Sequence, residues 1–289
     1  MTLQSWIQNG EARLRGGPHP ERARRDAEML VLHLIQRDRA FLMANPLSNL
    51  SAEGAVRYYV LLERRLAGEP IQYITGETEF YGLPFQVNRS VLIPRPETEH
   101  LVEKVLSLAA SFERPRILDV GTGSGAIAVA LAHKLPEAQI TAIDISALTL
   151  TVARGNAERN GVADRIRFVE GDLLAPVKGE QFEMVVSNPP YVAECDRASL
   201  PVEVRDFEPG LALFAGGGLD VFRRLIPDAR AALVARGVLA LEIGYGQDTA
   251  VAGLLAEAGF EQIEFTADLQ GIPRVATARS GPQLHRLSL

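Results

Sequence analysis

Four consecutive residues, Asn188-Pro189-Pro190-Tyr191, follow the apolar run Met184–Ser187 and combine hydrogen-bond acceptors with an aromatic ring. Two prolines directly after an asparagine keep the chain extended and remove two N–H donors from it. The carbonyl oxygens of Asn188 and Pro189 are then free to accept hydrogen bonds, and the Asn188 side chain adds another acceptor. Two acceptors can hold both protons of a planar –NH2 group while the Tyr191 ring packs against its plane. We therefore expect Asn188, Pro189, Pro190 and Tyr191 to bind the amide or amine nitrogen of a substrate, with Asn188, Pro189 and Tyr191 as the catalytic set.

A glycine-rich turn, Gly121-Thr122-Gly123-Ser124-Gly125, lies earlier in the chain between an apolar strand pattern and a helix pattern. Glycine has no side chain, so the backbone can turn sharply there and come close to a ligand. Asp144 lies 23 residues after Gly121, at the end of the next predicted strand, where a carboxylate can accept both hydroxyl groups of a ribose. A turn without a ligand and a dinucleotide site are the alternatives at this point.

Two details favour S-adenosylmethionine over a dinucleotide. The spacing is G-x-G-x-G, whereas G-x-G-x-x-G is the spacing that seats a pyrophosphate on a helix end. Asp119 precedes the turn and can meet an ammonium group, whereas a carboxylate would repel a diphosphate. Asp172 follows the third predicted strand, Ile166–Glu170, and can accept a hydrogen bond from the adenine amino group, with Leu173 beside the adenine ring. The predicted cofactor site consists of Asp119, Gly121, Thr122, Gly123, Ser124, Gly125, Asp144, Asp172, Leu173 and Asn188.

The chemistry that these two motifs predict together is methyl transfer to nitrogen. An amide or exocyclic amine nitrogen is a poor nucleophile because its lone pair is delocalised. Holding both N–H bonds favours a pyramidal nitrogen and directs its lone pair at the sulfonium methyl group, and such positioning can contribute up to ~7–11 kcal/mol. The proton leaves after methyl transfer, so we assign no general base. The five histidines are scattered without metal-ligand spacing, and we expect no metal.

The elements that must position these residues alternate between strand and helix from Arg116 onward. Apolar strands separated by helices predict right-handed βαβ units on a mostly parallel sheet. The fold expected is α/β, a Rossmann-like class I S-adenosylmethionine-dependent methyltransferase with a seven-stranded sheet. The predicted strands are Ile117–Val120, Ile140–Ile143, Ile166–Glu170, Met184–Ser187, Val238–Ile243, Ile263–Thr266 and Val275–Ala278, and the predicted helices include 124–134, 147–160, 218–235 and 247–258.

The first 75 residues have helical periodicity and predict a small helical bundle. Ala27, Leu30, Val31 and Leu34 share one apolar face, and Ser51 begins a second helix whose apolar residues are Val56, Tyr59, Val60, Leu62 and Leu66. Residues 71–93 are aromatic, β-branched and glycine-containing, which predicts a hairpin. The expected domains are therefore a helical domain at 1–75, a hairpin and linker at 76–97, and a catalytic domain at 98–289.

Composition sets limits on the partners. The chain has 289 residues, 47% of them apolar and 23% charged, with a net charge of −6, and this acidity argues weakly against a nucleic acid as the main substrate. Cys195 is the single cysteine and cannot form an intramolecular disulfide. No secretory signal or membrane-spanning stretch is present in the sequence, so we expect a cytoplasmic monomer.

Four segments of the chain resemble the release factor glutamine methyltransferases in order and spacing, and the likeness extends over essentially the whole chain. These segments are Ile93-Pro-Arg-Pro-Glu-Thr-Glu99, Gly121-Thr-Gly-Ser-Gly125, Ser187-Asn-Pro-Pro-Tyr191 and Phe207-Glu-Pro-Gly-Leu-Ala-Leu213. The resemblance implies methylation of the glutamine side-chain amide in the Gly-Gly-Gln motif of bacterial class I peptide chain release factors 1 and 2. It implies cofactor contacts at Gly121–Gly125, Asp144 and Leu173, and an amide pocket at Asn188, Pro189 and Tyr191. It also gives residues 1 to about 80 the role of recognising the release factor.

Some positions depart from the family pattern or are left unassigned. Some relatives have an aromatic side chain where Leu173 stands, which puts adenine stacking in doubt here. Arg95 and Glu97 have no chemistry assigned from the sequence, and a salt bridge is the alternative to a functional role. Cys195 and Asp196 are expected at the surface.

The alternative function is methylation of an exocyclic amine of a nucleic acid, adenine N6 or guanine N2, which normally requires a basic recognition domain and a flipped base. An inactive cofactor-binding protein would be expected to have lost the tetrapeptide or the acids of the cofactor site, and this sequence has both. A nicotinamide dehydrogenase would have a different glycine spacing.

Overall fold

The computed structural model describes residues 1–281, which form two compact units. The first unit contains Met1–Glu77 together with a later segment, Ser199–Glu208. The second unit contains Thr78–Ala198 and the described residues from Pro209 onward. The sequence did not indicate that the segment 199–208 leaves the catalytic part of the chain and packs with the N-terminal helices.

The helices and strands have the following bounds. The helices are α1 (Leu3–Leu14), α2 (Ala23–Ile35), α3 (Arg39–Ala44), α4 (Ala52–Leu66), α5 (Ile71–Thr75), α6 (Thr98–Ala109), α7 (Ala126–Lys134), α8 (Ala147–Arg159), α9 (Val202–Phe207), α10 (Gly210–Leu213), α11 (Asp220–Ala232) and α12 (Asp248–Glu257). The strands are β1 (Glu77–Phe80), β2 (Leu83–Gln86), β3 (Arg116–Val120), β4 (Gln139–Asp144), β5 (Ile166–Glu170), β6 (Phe182–Ser187), β7 (Leu233–Glu242), β8 (Phe260–Ala267) and β9 (Pro273–Ser280). No helix in the described part is both long enough and apolar enough to cross a membrane.

The helical prediction for the N-terminal residues is confirmed, with one face reassigned. Ser51 caps α4, its hydroxyl accepting from the Gly54 N–H at 3.0 Å. The buried side of α4 is formed by Tyr58, Leu62 and Arg65. The expected apolar residues Val56, Tyr59 and Val60 lie instead on its exposed side. Arg65 occupies a buried position because Asp26 and Glu203 pair with its charge.

The hairpin prediction is correct for β1 and β2 and wrong for residues 71–75, which form the short helix α5. Pro70 occupies the N-cap position of α5, and Gly76 ends it in the left-handed region at φ 81°. Ile71 and Ile74 are β-branched but pack into the apolar core of the first unit, where burial outweighs strand propensity.

The seven-stranded sheet has the order β5-β4-β3-β6-β7-β9-β8. The pairs from β5 to β7 are parallel, and β9 is antiparallel to both β7 and β8. This confirms the predicted α/β fold. Strand β7 begins at Leu233 rather than Val238, so α11 ends earlier than expected, and a bulge with Arg236 at φ 61° separates the two pairings to β6.

The parallel strands bring four connections to one edge of the sheet. β3, β4, β5 and β6 lie next to one another and run in the same direction, so their carboxyl ends meet. Open α/β sheets bind ligands in the crevice outside these ends. The residues after Val120, Ile143, Glu170 and Ser187 are the ones that this topology brings together.

Candidate active site

The glycine-rich turn folds back over the end of the neighbouring strand. The N–H groups of Gly121 and Thr122 both donate to the Ile143 carbonyl, at 2.8 and 2.9 Å. Gly121, Gly123 and Gly125 have φ values of 72°, 57° and 81°, which side-chain-bearing residues rarely adopt. A Cβ at Gly121 or Gly123 would meet no atom within 4 Å, so open space lies in front of both residues. A ligand can therefore come within contact distance of this backbone.

Asp144 is locked in place at the end of β4. One carboxylate oxygen accepts from the Gly123 N–H and the other from the Ser146 N–H, each at 3.0 Å. Burial raises the pKa of Asp144, and these backbone hydrogen bonds oppose that effect. The turn after β3 and the end of β4 are thereby joined through one carboxylate that still faces the cavity.

Asp119 lies behind the turn and is fully buried. Its Oδ2 accepts from the Thr122 hydroxyl at 2.6 Å, and its Oδ1 has no hydrogen-bond partner among residues 1–281. Burial raises the pKa of Asp119 to about 7, against the effect of hydrogen bonds from Thr122 and the Ala128 N–H. Asp119 is not on the cavity wall, so its position favours an indirect role, holding Thr122, over the predicted direct contact with an ammonium group.

Asp172 and Leu173 follow β5 and both line the cavity. Asp172 is exposed and forms an ion pair with Arg224, a residue that the sequence analysis did not single out. Leu173 has φ 50°, a left-handed conformation that is uncommon outside glycine and asparagine. Strain of this kind occurs where surrounding structure fixes a side chain for function.

These residues enclose one cavity of about 470 Å³ at the carboxyl ends of the parallel strands. This volume falls within the range of small-molecule sites. Ile145, Leu148 and Leu211 line it although each is more than half exposed, which gives the wall an apolar surface. The predicted residues on the wall are Gly121, Thr122, Gly123, Ser124, Asp144, Asp172, Leu173, Asn188 and Pro190.

Four predicted site residues, Asp119, Gly125, Pro189 and Tyr191, do not line this cavity. A Cβ at Gly125 would come within 3.2 Å of Ala153, so this glycine permits close packing against α8 rather than ligand approach. Pro189 is buried and Tyr191 is partly buried. Spacing along the chain cannot distinguish a residue that faces a ligand from a neighbour that faces the core.

The segment Ser90–Arg95 and the start of α6 contribute wall residues that the sequence analysis did not assign. Leu92, Pro94, Arg95 and Thr98 belong to this group. The proline-rich run Ile93–Glu97 was the available signal, because a rigid segment with two prolines can hold a charged residue at a fixed place. Its chemistry could not be assigned before the cavity was known.

The tetrapeptide Asn188–Tyr191 is held by side chains from other elements. The Asn188 side-chain NH2 group donates to the Thr98 hydroxyl at 3.0 Å, and the Tyr191 hydroxyl donates to Glu242 Oε1 at 3.2 Å. The Gln247 side-chain NH2 group donates to the Tyr191 carbonyl oxygen at 3.0 Å. Asn188 has its N–H groups turned toward Thr98, and it faces the cavity together with Pro190.

Glu242 is a buried carboxylate behind this motif, 2% exposed. Burial raises its pKa, while hydrogen bonds from Thr98 and Tyr191 and the positive charge of Arg274 oppose that effect. Burial together with Glu242 raises the pKa of Tyr191, so Tyr191 stays protonated and donates. Neither Thr98 nor Glu242 was predicted as a site residue. Thr98 stands in the segment Ile93–Glu99, to which the sequence assigned no chemistry, and Glu242 belongs to no motif; each contacts a residue far away in the sequence.

The fold and the site together define a class. The sheet has seven strands and is mostly parallel, and its G-x-G-x-G turn is hydrogen-bonded to Asp144 at the end of β4. Asn-Pro-Pro-Tyr follows β6. These features are those of a Rossmann-like methyltransferase. Residues 97–203 match the family Methyltransferase small domain, and residues 5–76 match the PrmC N-terminal domain.

Relatives with known names narrow the class to a family. A release factor glutamine methyltransferase of Koribacter versatilis is 42% identical over 281 residues, covering 96% of this chain and 99% of that protein. Those of Moorella thermoacetica and Bradyrhizobium diazoefficiens are 44% and 42% identical, covering 90% and 94% of this chain and 91% and 92% of those proteins. The chain belongs to the release factor glutamine methyltransferase family.

Solved structures support the fold alone. The hMettl16 catalytic domain in complex with MAT2A 3'UTR hairpin 1 superposes with a TM-score of 0.58 at 18% identity, covering 87% of this chain and 90% of that one. A methyltransferase from Pyrococcus furiosus gives a TM-score of 0.52 at 18% identity, covering 80% of this chain and all of that one. At these identities the likeness concerns the architecture.

Proposed function

We propose that this chain transfers a methyl group from S-adenosylmethionine to the side-chain amide nitrogen of the glutamine in the Gly-Gly-Gln motif of class I peptide chain release factors. The observation that carries the proposal is the position of Asn188, which lies on the wall of the same cavity as the glycine-rich turn and Asp144. An acceptor for a substrate –NH2 group thus shares one cavity with the groups that fit the cofactor. The names of the relatives supply the substrate.

The residues present fit S-adenosylmethionine. Open space in front of Gly121 and Gly123 allows close approach of a ligand, and Asp144 offers carboxylate oxygens to ribose hydroxyl groups. Leu173, Ile145 and Leu148 form apolar surface suited to the faces of an adenine ring. S-adenosylmethionine, when bound, would supply an electrophilic methyl group on a sulfonium centre, and the S–CH3 bond that breaks would leave its electron pair on sulfur as the neutral thioether S-adenosylhomocysteine.

The chain's own contribution to the reaction is to bind and orient the amide. The Asn188 side-chain oxygen, on the cavity wall, accepts one N–H bond of the glutamine amide, and a backbone carbonyl of the tetrapeptide accepts the other. Holding both bonds favours a pyramidal nitrogen with its lone pair free. Pro189 and Pro190 have no N–H groups that would compete for these acceptors. Tyr191, held by Glu242 and Gln247, keeps the motif in this conformation. The nitrogen becomes acidic once methylated and loses its proton to solvent, so no general base is required.

The first unit is proposed to bind the body of the release factor. Val56 and Val60 lie one turn apart on the exposed side of α4, and Tyr59 stands beside Val60 with its ring edge-on to Trp6. Exposed apolar side chains grouped on one helix face are typical of a protein-binding surface. We propose α4 as part of that docking surface, with release factors 1 and 2 as partners.

A labelling experiment tests the function. The purified full chain is incubated with methyl-labelled S-adenosylmethionine and a release factor, and the tryptic peptide that contains the Gly-Gly-Gln motif is analysed by mass spectrometry. We expect one added methyl group on the glutamine and none on a release factor in which that glutamine is alanine. Label on ribosomal RNA or DNA, with none on the release factor, would support the nucleic-acid alternative and overturn the proposal.

A second experiment tests the docking surface. Val56→Glu and Val60→Glu should raise KM for the intact release factor while leaving the rate with a short Gly-Gly-Gln peptide unchanged. Ala250→Glu, on the exposed side of α12, is the matched control. An unchanged KM in both α4 variants would remove α4 from the docking surface without affecting the assigned reaction.

A further inference from the structure

Both polar side chains of the tetrapeptide are fixed by one buried pair of residues, Thr98 and Glu242. Asn188 donates to the Thr98 hydroxyl, and Tyr191 donates to the Glu242 carboxylate. Thr98 comes from the first turn of α6 and Glu242 from the last residue of β7. Elements distant in sequence therefore meet behind the motif. Thr98 is near enough to Glu242 for its hydroxyl to lower the pKa of that carboxyl.

The Thr98 hydroxyl does not cap its own helix, α6. The N-cap residue of α6 is Glu97, and no side chain caps this helix end. Thr98 is 4% exposed and lies on the cavity wall, where valine would occupy nearly the same volume. A hydroxyl has one proton to donate and can also accept. Thr98 accepts from Asn188, so its own proton is available to Glu242.

The direction of these hydrogen bonds decides which end of the Asn188 amide faces the substrate. Because its NH2 group donates to Thr98, the side-chain oxygen of Asn188 is not bound to Thr98 and can accept from another group. A flipped amide would present N–H donors to a substrate –NH2 group, whose delocalised lone pair is a poor acceptor. The Thr98 hydroxyl has one proton, and the acceptor-only carboxylate of Glu242 nearby favours directing that proton toward Glu242. The hydroxyl oxygen is then left to accept from Asn188.

We propose that Thr98 and Glu242 are positioning residues that hold the Asn188 side chain with its carbonyl oxygen toward the nitrogen that receives the methyl group. The inference rests on the proposed function for the identity of that nitrogen. Glu242 would be a poor choice for stability alone, since its Oε2 has no hydrogen-bond partner within the described part of the chain. The presence of the buried Glu242 carboxylate is explained by its role in orienting the Asn188 and Tyr191 side chains.

Kinetics of four variants test the proposal. Thr98→Val removes the hydroxyl, Thr98→Ser keeps it, and Glu242→Gln replaces an acceptor by an amide that can also donate. We expect Thr98→Val and Glu242→Gln to lower kcat by about tenfold or more, with KM and cofactor Kd within about twofold of wild type. Thr98→Ser should stay within about threefold of wild-type kcat. The control Thr141→Val removes a buried hydroxyl from β4, away from the cavity wall, and should keep wild-type kcat.

Amide NMR provides a readout that does not depend on turnover. The side-chain NH2 signals of Asn188 are assigned by their loss in Asn188→Ala and should shift in Thr98→Val but not in Thr98→Ser or Thr141→Val. Wild-type kcat and an unmoved Asn188 signal in Thr98→Val would overturn the proposal, as would equal losses of kcat in Thr98→Ser and Thr98→Val. Failure of the wild-type chain to methylate a release factor would instead reject the proposed function, and the NMR comparison would still decide whether Thr98 orients Asn188.

Discussion

The carboxylate of Asp119 accepts a hydrogen bond of 2.6 Å from the Thr122 hydroxyl, three residues further along the chain. Asp119 is the last residue but one of β3, and Thr122 is the second residue of the glycine-rich turn. This bond fixes the turn from behind, while the Gly123 N–H is bound from the side by Asp144. Two carboxylates therefore shape a loop that itself carries no charge.

Asp119 should make the stability of the ligand-free protein depend on pH. Its pKa in the folded protein is raised to about 7, from 3.8, because it is buried. The folded state then holds this proton more tightly than the unfolded chain, so the stabilisation is complete below about pH 4 and is lost as the pH rises through about 7. The difference amounts to up to about 4 kcal/mol, at about 1.36 kcal/mol per pH unit.

Asp119→Asn tests this expectation, because asparagine keeps an acceptor for Thr122 without the charge. Melting temperatures are measured for wild type and variant at pH 5.5 and pH 8.5 (roughly 1.5 pH units on either side of the pKa). We expect the variant to lose less stability than wild type between the two values. Parallel pH dependence in the two proteins would show that Asp119 is already ionised throughout this range.

Asn188→Ala should separate cofactor binding from catalysis. The substitution removes one acceptor for the substrate amide and leaves the backbone carbonyls in place, so kcat should fall by about 10²–10³. Cofactor Kd, measured by calorimetry, should change by less than about threefold because Gly121–Gly125, Asp144 and Leu173 are intact. Near-normal kcat would mean that the Asn188 side chain is not the acceptor for the reacting nitrogen.

Gly123→Ala should weaken cofactor binding more than it weakens the fold. The residue has φ 57°, and its new methyl group would project into open space on the cavity side of the turn. We expect a loss of about 1–2 kcal/mol in stability from the left-handed conformation and at least about a tenfold rise in cofactor Kd. Gly155→Ala in α8 is the control, since its Cβ also meets open space and alanine should raise stability by about 0.5–1 kcal/mol there. Equal cofactor affinities in the two variants would contradict close approach at Gly123.

We expect Arg65 to hold the segment Ser199–Glu208 in the first unit. Its guanidinium is 2% exposed and contacts Asp26 at 2.6 Å and Glu203 at 3.1 Å. Burial alone would raise the pKa of Glu203, but the charges of His19, Arg65 and Arg22 lower it. Arg65→Met would leave two acids without this partner at a cost of about 3–5 kcal/mol.

Chemical denaturation of Arg65→Met, with the exposed pair variant Arg167→Met as control, measures this cost. The control should change the free energy of unfolding by less than about 1 kcal/mol because its ion pair with Glu180 is solvent-exposed. Limited proteolysis should cut Arg65→Met faster than wild type near residues 199–208. A stability loss no larger than the control's would mean that the buried ion pairs do not hold this segment.

The strands of the sheet could be predicted because each is a short apolar run between glycine, proline or helical patterns. Ile166–Glu170 has the predicted bounds, and the strands that precede Gly121 and Asn188 differ from prediction by one or two residues at their first residue. Residues 71–75 could not be predicted, because Ile71 and Ile74 favour strands locally and become helical through burial against α2 and α4. Glu203 gave no local signal either, since its partners lie more than a hundred residues away in the sequence.

The chemistry of the motifs could be predicted from their residue types. Gly121–Gly125 and Asn188–Tyr191 have backbone and side-chain properties that follow from residue type, such as positive φ at glycine and the missing N–H of proline. Parallel strands end at the same edge of a sheet, so both motifs, each at the carboxyl end of a predicted strand, were expected at that edge. Those conclusions depend on local geometry and on general rules of chain connection.

Which side chains stand behind the motifs, and in which direction their hydrogen bonds run, became visible in the folded chain. Asp119 faces Thr122 rather than the cavity, and Thr98 and Glu242 hold Asn188 and Tyr191 from elements at least 50 residues away. A hydrogen bond depends on the distance and the angle between two groups, and packing of the whole domain fixes both. Residue types show what a side chain can do, whereas its buried neighbours determine which of its atoms remains free for the substrate.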